Sequence, residues 1–407
     1  MVDIMSNSVV EGTSPEPWPQ LEWEPQVWMP TSGWGVDADF GSGHLPYKSA
    51  VPPNIAALTP EPSTEATQAA EAAVQELGRF DAELGARVIG FAPVLLRSEA
   101  ASSSQIENLT ASARAIFSAE LGAKGSHNAE LIAANTRAMQ AAIDLSDSLS
   151  PFAITEMHRV LMNDQTRHTP GQWRREAVWI GTRSNSPLGA EFVAPHHDRV
   201  PALIDDVIDF TARRDIPALT STSIAHAQFE TIHPFTDGNG RTGRAFAQAL
   251  LRRRGVTRNV AVPVSAGLLA DVGGYHRALT AYREGDVSPI ILAFAEASLR
   301  AVANSRELVA DIDEIKDGWK QRLTVRRSSA AWALLEVIAE RPVIDSATAA
   351  SALGVKQPNV YPALQVLTDA GILKSKAEHR TGPFWRSDEV LGAIDRFAER
   401  AGRRERS

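Results

Sequence analysis

His233, Asp237, Arg241 and Arg244 stand together in one twelve-residue stretch, HPFTDGNGRTGR. Their types suit a single task. A histidine supplies a base whose proton affinity fits neutral pH. A carboxylate offers a hard oxygen to a magnesium ion that bridges phosphates. Two arginines one helical turn apart can reach the same anion. Gly238-Asn239-Gly240 is the composition of a tight loop whose backbone can adopt positive φ. A glycine loop that opens a helix aims unpaired N–H groups at one point, which makes an anion site. The set reads as phosphoryl or nucleotidyl transfer. It is not a Walker A loop, because the Lys-Ser/Thr ending is missing.

Two helices must position these groups. Ser221–Ile232 has capping residues at its start and an apolar stripe through Ile224, Ala225, Phe229 and Ile232. Pro234 cannot extend that helix, so His233 falls at its end. From Arg241 the helical pattern resumes and runs to Arg254, with Gly255 closing it. His226, Glu230 and His233 also share one face of the first helix, and Glu230-x-x-His233 is the half-site of a di-iron bundle. A second Glu-x-x-His does not occur in the chain. His226 is therefore expected to be a buried residue bracing the helix.

The order of base, carboxylate, glycine nest and two arginines resembles the Fic family signature, H-x-F-x-[DE]-G-N-G-R-x-x-R, at every defined position. The resemblance runs from about residue 45 to 310. It implies a mainly α fold, a Fic-type helical bundle with a small β-hairpin flap. It further implies a protein adenylyltransferase that uses ATP and Mg²⁺, with His233 as the catalytic base and Asp237 holding the metal. The phosphates would lie on Gly238, Asn239, Gly240, Arg241 and Arg244, and Tyr275 would stand beside the base, followed by His276 where a second tyrosine is expected. The hairpin 178–193 would dock an extended segment of the target protein. Ser103, Glu107 and Asn108 match the family's inhibitory motif, which would pair Glu107 with Arg244 and leave the enzyme self-inhibited. Ser104-x-x-Glu107 is equally a capping box that starts a helix. AMP removal and other transfers stay open within the family.

The chain has 407 residues, 43% hydrophobic, and a net charge of -8. That length implies two or three domains, and the charge argues against nonspecific nucleic-acid binding as the main activity. There are no cysteines, which excludes disulfides and thiolate metal sites and fits a cytoplasmic protein. No signal peptide or membrane span is expected. Residues 1–45 read as an acidic, Trp/Pro-rich arm whose Trp18, Trp23, Trp28 and Trp34 fit neither helix nor strand. Residues 46–140 read as an N-terminal helical region, 141–310 as the core domain, and 320–400 as a winged helix-turn-helix domain. From Arg326 onward, 13 Lys and Arg face 10 Asp and Glu, and the recognition-helix candidate carries almost no charge. A packing or dimerisation role is favoured there, with DNA binding, and hence a transcription regulator with a nucleotide-sensing core, as the alternative.

Overall fold

One helix is buried along nearly its whole length. In Ala218–Ile232 every residue from Leu219 onward is shielded from solvent, although the segment carries serine, threonine, glutamine, histidine and glutamate. Such a helix survives in a core when its polar groups find partners. The Thr222, Ser223 and Thr231 hydroxyls donate to carbonyls four residues back. Gln228 donates to the Pro53 carbonyl and accepts from the Tyr282 hydroxyl. His226 is bonded to the Tyr275 hydroxyl at 2.7 Å, so it braces the helix as expected.

The computed structural model describes residues 17–28, 45–85, 90–123, 125–165, 167–181, 186–378 and 382–402. Strands β1 (Glu22–Trp28) and β2 (Leu45–Val51) come first. Helices α1 (Thr64–Gly85), α2 (Ala92–Ile106), α3 (Ala113–Glu120), α4 (His127–Asp144) and α5 (Pro151–Met162) follow. A short hairpin, β3 (Trp179–Ile180) and β4 (Phe192–Val193), leads to α6 (Val200–Ala212), the buried helix α7 (Ala218–Ile232) and α8 (Asn239–Arg253). Then come α9 (Val264–Leu269), α10 (Val272–Arg283) and the 35-residue α11 (Ser288–Arg322). The fold is mainly α, with α7 packed among α1, α6, α8, α10 and α11.

The C-terminal segment runs α12 (Ala330–Glu340), β5 (Val343–Asp345), α13 (Ser346–Leu353), α14 (Tyr361–Asp369), β6 (Lys374–Glu378), β7 (Gly382–Arg386) and α15 (Asp388–Gly402). Its strands form an antiparallel sheet in the order β5-β7-β6. Helix α15 packs on α2, α3 and α11. Asp395 accepts the Ala113 N–H at 2.9 Å, and Glu389 accepts the Trp319 indole N–H at 2.7 Å.

Several expectations change. The arm holds a strand: β1 pairs antiparallel with β2, from Glu22 opposite Val51 to Trp28 opposite Leu45. Its alternation is carried by Glu24, Gln26 and Trp28, half-buried between exposed neighbours, and not by the tryptophan spacing. Trp34 lies outside the described residues. Helices α9 and α10 are separate, because Asp271 caps α10 by accepting the Gly274 N–H at 2.9 Å. Helix α11 runs across the boundary expected between 310 and 320, since it holds no proline after Pro289 to stop it. Pro362 stands in the first turn of α14, where a missing N–H costs nothing, and the preceding residues Gln357–Val360 form a separate 3-10 turn.

Candidate active site

The loop between α7 and α8 is closed by side chains bonded to backbone. His233 ends α7 with a φ of +51°, a left-handed conformation that non-glycine residues rarely adopt. Arg174 holds it there. Its Nε donates to the His233 carbonyl at 2.8 Å, and its two terminal nitrogens donate to the carbonyls of Pro195 (2.6 Å), Ile232 (3.3 Å) and Glu176 (2.9 Å). A guanidinium at a helix C-terminus also meets the negative end of the helix dipole. Burial pulls the Arg174 pKa down to about 10, so it stays charged at neutral pH.

Phe235 is fully buried and stacks on His158, with ring centroids 3.7 Å apart. His158 accepts the Gly171 N–H at Nδ1 (2.9 Å), so its Nε2 carries the proton and donates to the Asp237 carbonyl (3.1 Å). Burial lowers the His158 pKa to about 4, which keeps this neutral tautomer. Asn239 spends both ends of its side-chain amide on Phe235. Its oxygen accepts the Phe235 N–H and its nitrogen donates to the Phe235 carbonyl, each at 2.8 Å. The Asn239 side chain thus shapes the loop, and Asn239 also lines the cavity. Gly238 has a φ of +76°, and a Cβ there would come within 3.1 Å of Leu161 and Met162.

The loop opens on a cavity of about 520 Å³. His233 presents its ring there. The Nδ1 atom lies 3.2 Å from the Glu230 carbonyl, to which it can only donate, so Nε2 is the basic nitrogen. Burial, reinforced by the Arg283 and Arg174 charges, lowers its pKa to about 4. The imidazole is neutral at pH 7. On α8, buried Arg241 has two guanidinium nitrogens, Nε and one Nη, without hydrogen-bond partners among the described residues. Arg244 is the opposite. It donates from Nε to the Ser103 hydroxyl (2.9 Å) and from Nη2 to the Ser103 carbonyl and to Glu107, both at 2.8 Å.

Glu107 reaches the cavity from the end of α2. It is the C-cap of that helix, and Asn108 follows at a φ of +61°, a conformation asparagine tolerates better than most residues. The capping-box reading of Ser104 and Glu107 is thus overturned. These residues close a helix rather than start one, and Ser104 donates to the Ala100 carbonyl inside it. Burial opposes the Glu107 charge, but the Arg244 guanidinium more than offsets it and holds the carboxyl below its usual range.

Asp237 is 45% exposed. One of its oxygens accepts the Gly238 N–H at 2.7 Å, while the other lies 3.8 Å from both His168 and Arg241. A carboxylate so placed suits Mg²⁺, which takes few protein ligands and fills its shell with water and phosphate. Among the described residues, the one close group of three metal-ligating side chains is His196, His197 and Asp198, which lines no part of this cavity. The cavity wall also includes Ile180 of the hairpin and Tyr275, His276, Leu279 and Arg283 of α10. Tyr275 is 3% exposed and spends its hydroxyl on His226. The hairpin has the expected place, with Trp179 opposite Val193 and Ile180 opposite Phe192; its turn residue Asn185 lies outside the described residues.

Sequence reasoning missed Arg174, His158 and Arg283. Arg174 sits in a Trp-Arg-Arg run that looks like surface, and no local spacing marks it as the residue that pins His233.

Residues 148–251 match the family model described as Fic/DOC family. Over 188 residues, the chain is 27% identical to the protein adenylyltransferase fic-1 of Caenorhabditis elegans, covering 46% of this chain and 34% of that relative. It is 40% identical over 93 residues to a probable protein adenylyltransferase of Aquifex aeolicus, covering 21% of this chain and 29% of the relative. The chain thus spans about a third of the length of these curated relatives. A solved structure of a Fic family protein from Desulfovibrio desulfuricans G20 is similar in fold. It is 22% identical, with a TM-score of 0.51, and the match covers 81% of this chain and 98% of that one.

Proposed function

We propose that this chain, which carries a Fic/DOC domain, is a protein adenylyltransferase restrained by its own Glu107. The observation that carries the reading is the contrast between the two arginines of one helix. Arg241 lines the cavity and has two donors without partners among the described residues, while Arg244 is engaged by Ser103 and Glu107. A buried guanidinium left with free donors is costly unless an anion completes it. ATP fits that demand. Its phosphates would meet the backbone N–H groups of the loop and Arg241, and its base the wall of Ile180, His276 and Leu279.

Asp237 would hold Mg²⁺, whose charge offsets that of the phosphates. His233 Nε2 takes the proton from a Tyr, Thr or Ser hydroxyl of a protein target. The hydroxyl oxygen forms a bond to the α-phosphorus, the bond from that phosphorus to the bridging oxygen breaks, and pyrophosphate leaves. Incoming phosphate charge favours the protonated imidazole, so binding raises the proton affinity of His233 as it is needed. Glu107 opposes this state by occupying Arg244, the cation a γ-phosphate would use. A second cavity of about 520 Å³ shares Ile180, His276, Leu279 and Arg283 with the first and is walled by Trp23 and Phe192. The target's segment would lie there, against the hairpin.

The C-terminal segment is read as a packing module. Its α15 is bonded to the core, and its α14 exposes Tyr361 without any Lys or Arg. A role in the cytoplasm is part of this proposal; no helix among the described residues is long and apolar enough to cross a membrane.

The test is incubation of the Glu107→Gly variant with labelled ATP, Mg²⁺ and a cell lysate, followed by mass spectrometry. The expected result is AMP on a hydroxyl side chain of one or a few proteins. Label on no protein, with loss of AMP from an adenylylated pool, would replace addition by removal.

A further inference from the structure

The cleft beside the nucleotide cavity has walls from outside the family-matched stretch. Gln20, Leu21 and Trp23 of the arm line it, as do Thr280 of α10 and Glu284 at its C-cap, whereas the match covers 148–251. The arm is built into the core at this point. Trp18 is buried, with its ring 6.4 Å from Phe210 and 6.1 Å from Tyr282. The Leu21 N–H donates to the Arg283 carbonyl at 2.9 Å. Gly285 has a φ of +94°, and a Cβ there would come within 2.7 Å of the Trp18 carbonyl oxygen. Glycine thus lets the arm lie against the end of α10. A chain pinned at these points fixes where Trp23 stands, yet that side chain is 46% exposed, with its ring 6.2 Å from Phe192. An exposed tryptophan held beside a second aromatic has the make-up of a docking anchor.

The charges of the cleft narrow what it accepts. Glu191 of the hairpin and Glu284 both line it and are exposed. Neither has an ion-pair partner among the described residues. The one cation among the described lining residues is Arg283, whose guanidinium lies 3.8 Å over the Phe192 ring. Burial lowers the His276 pKa, so that ring is neutral at pH 7. Two free carboxylates therefore accompany an aromatic wall. A lysine or arginine uses both, because its stem packs on apolar surface while its charge stays at the rim. Exposed charges of this kind add little affinity, but they discriminate between partners.

We propose that this cleft selects target segments carrying a lysine or arginine near the modified hydroxyl. The stem of that side chain would lie over Trp23 and Phe192, and its charge would meet Glu191 and Glu284. The proposal rests on the adenylyl-transfer reading. Neither glutamate lines the nucleotide cavity, so the selection acts on the target and not on ATP.

The experiment gives the Glu107→Gly form ATP and Mg²⁺ with three synthetic peptide libraries. Each library fixes one Tyr, Thr or Ser between randomised positions that carry no other hydroxyl. Mass spectrometry reads the labelled peptides, and intact mass reads self-labelling in the same reaction. Lys and Arg should be enriched over Asp and Glu by about three- to tenfold at one or more positions, the worth of one or two exposed charge pairs. The enrichment should shrink at about 1 M salt. Adding Glu191→Lys/Glu284→Lys should turn the preference to Asp and Glu, while ATP affinity by calorimetry stays that of the parent. Labelled peptides without a preference for Lys and Arg, or a preference that survives the double substitution, would overturn the assignment. So would self-labelling with no peptide labelled. If neither the peptides nor the protein gain AMP, the adenylyl-transfer reading itself fails, and this assignment falls with it.

Discussion

The catalytic loop and the hairpin face each other across one cavity and are held by opposite means. The loop is fixed from within. Asn239 bonds both backbone groups of Phe235, His158 bonds the Asp237 carbonyl, and Arg174 bonds the His233 carbonyl. The hairpin pairs only two residues per strand, and a ladder so short is marginal alone. Its support comes from outside. Trp28 of β1 meets Trp179 edge to face at 5.4 Å, Trp23 meets Phe192 at 6.2 Å, and Glu24 pairs with Arg199 at 2.7 Å. The lesson is a division of labour. Atoms that must not move lie where the chain satisfies itself, while the edge that would meet a partner depends on a borrowed strand.

The largest break should come from the loop. His233→Ala removes the base, which typically costs roughly 10²- to 10⁴-fold in rate, while ATP binding and the melting temperature stay close to wild type. The same residue predicts a pH profile. Because its pKa is lowered to about 4, the free enzyme's base is already unprotonated at pH 5.5. The rate at low substrate should therefore stay flat from about pH 5.5 to 8 and fall only toward pH 4. An acidic limb near pH 6.5, the value of an ordinary histidine, would mean that His233 is not buried as described or is not the base.

A smaller break should come from the hairpin's borrowed support. An edge-to-face aromatic pair contributes about 0.5–1.5 kcal/mol beyond its area. Trp28→Ala should raise the KM for a protein target by roughly two- to tenfold and leave nucleotide affinity unchanged. A drop in nucleotide affinity as large as the rise in KM would show that the hairpin and the loop are one unit.

What was legible in the sequence follows the same division. The loop could be read because its conformational demands are local: glycine for positive φ, proline to end a helix, arginines one turn apart. The hairpin could be read from two β-prone runs around a turn. The strand that supports it could not, because β1 shows no apolar alternation of its own and meets the hairpin only through side chains distant along the chain. Ser104-x-x-Glu107 shows the limit of a local motif. The same four residues suit a helix start, yet the packing of buried Ala100, Ser102, Ser103 and Ser104 carries α2 into them and leaves Glu107 at its end. Arg174 was illegible for another reason. Its importance lies in carbonyls contributed by distant elements, which no spacing along the chain encodes.

The central claim is that a preformed transfer site is held shut by one carboxylate. It is tested most directly by intact-mass measurement after incubation with ATP and Mg²⁺. Wild type, Glu107→Gly and the Glu107→Gly/His233→Ala double variant would be compared, with melting temperatures taken in parallel. Removing Glu107 strips the Arg244 guanidinium of one partner but leaves its two bonds to Ser103, so the fold should survive. The account predicts that Glu107→Gly gains AMP on itself while wild type and the double variant stay unmodified. A folded Glu107→Gly protein that gains no more AMP than wild type, or a double variant that gains as much as the single one, would contradict it.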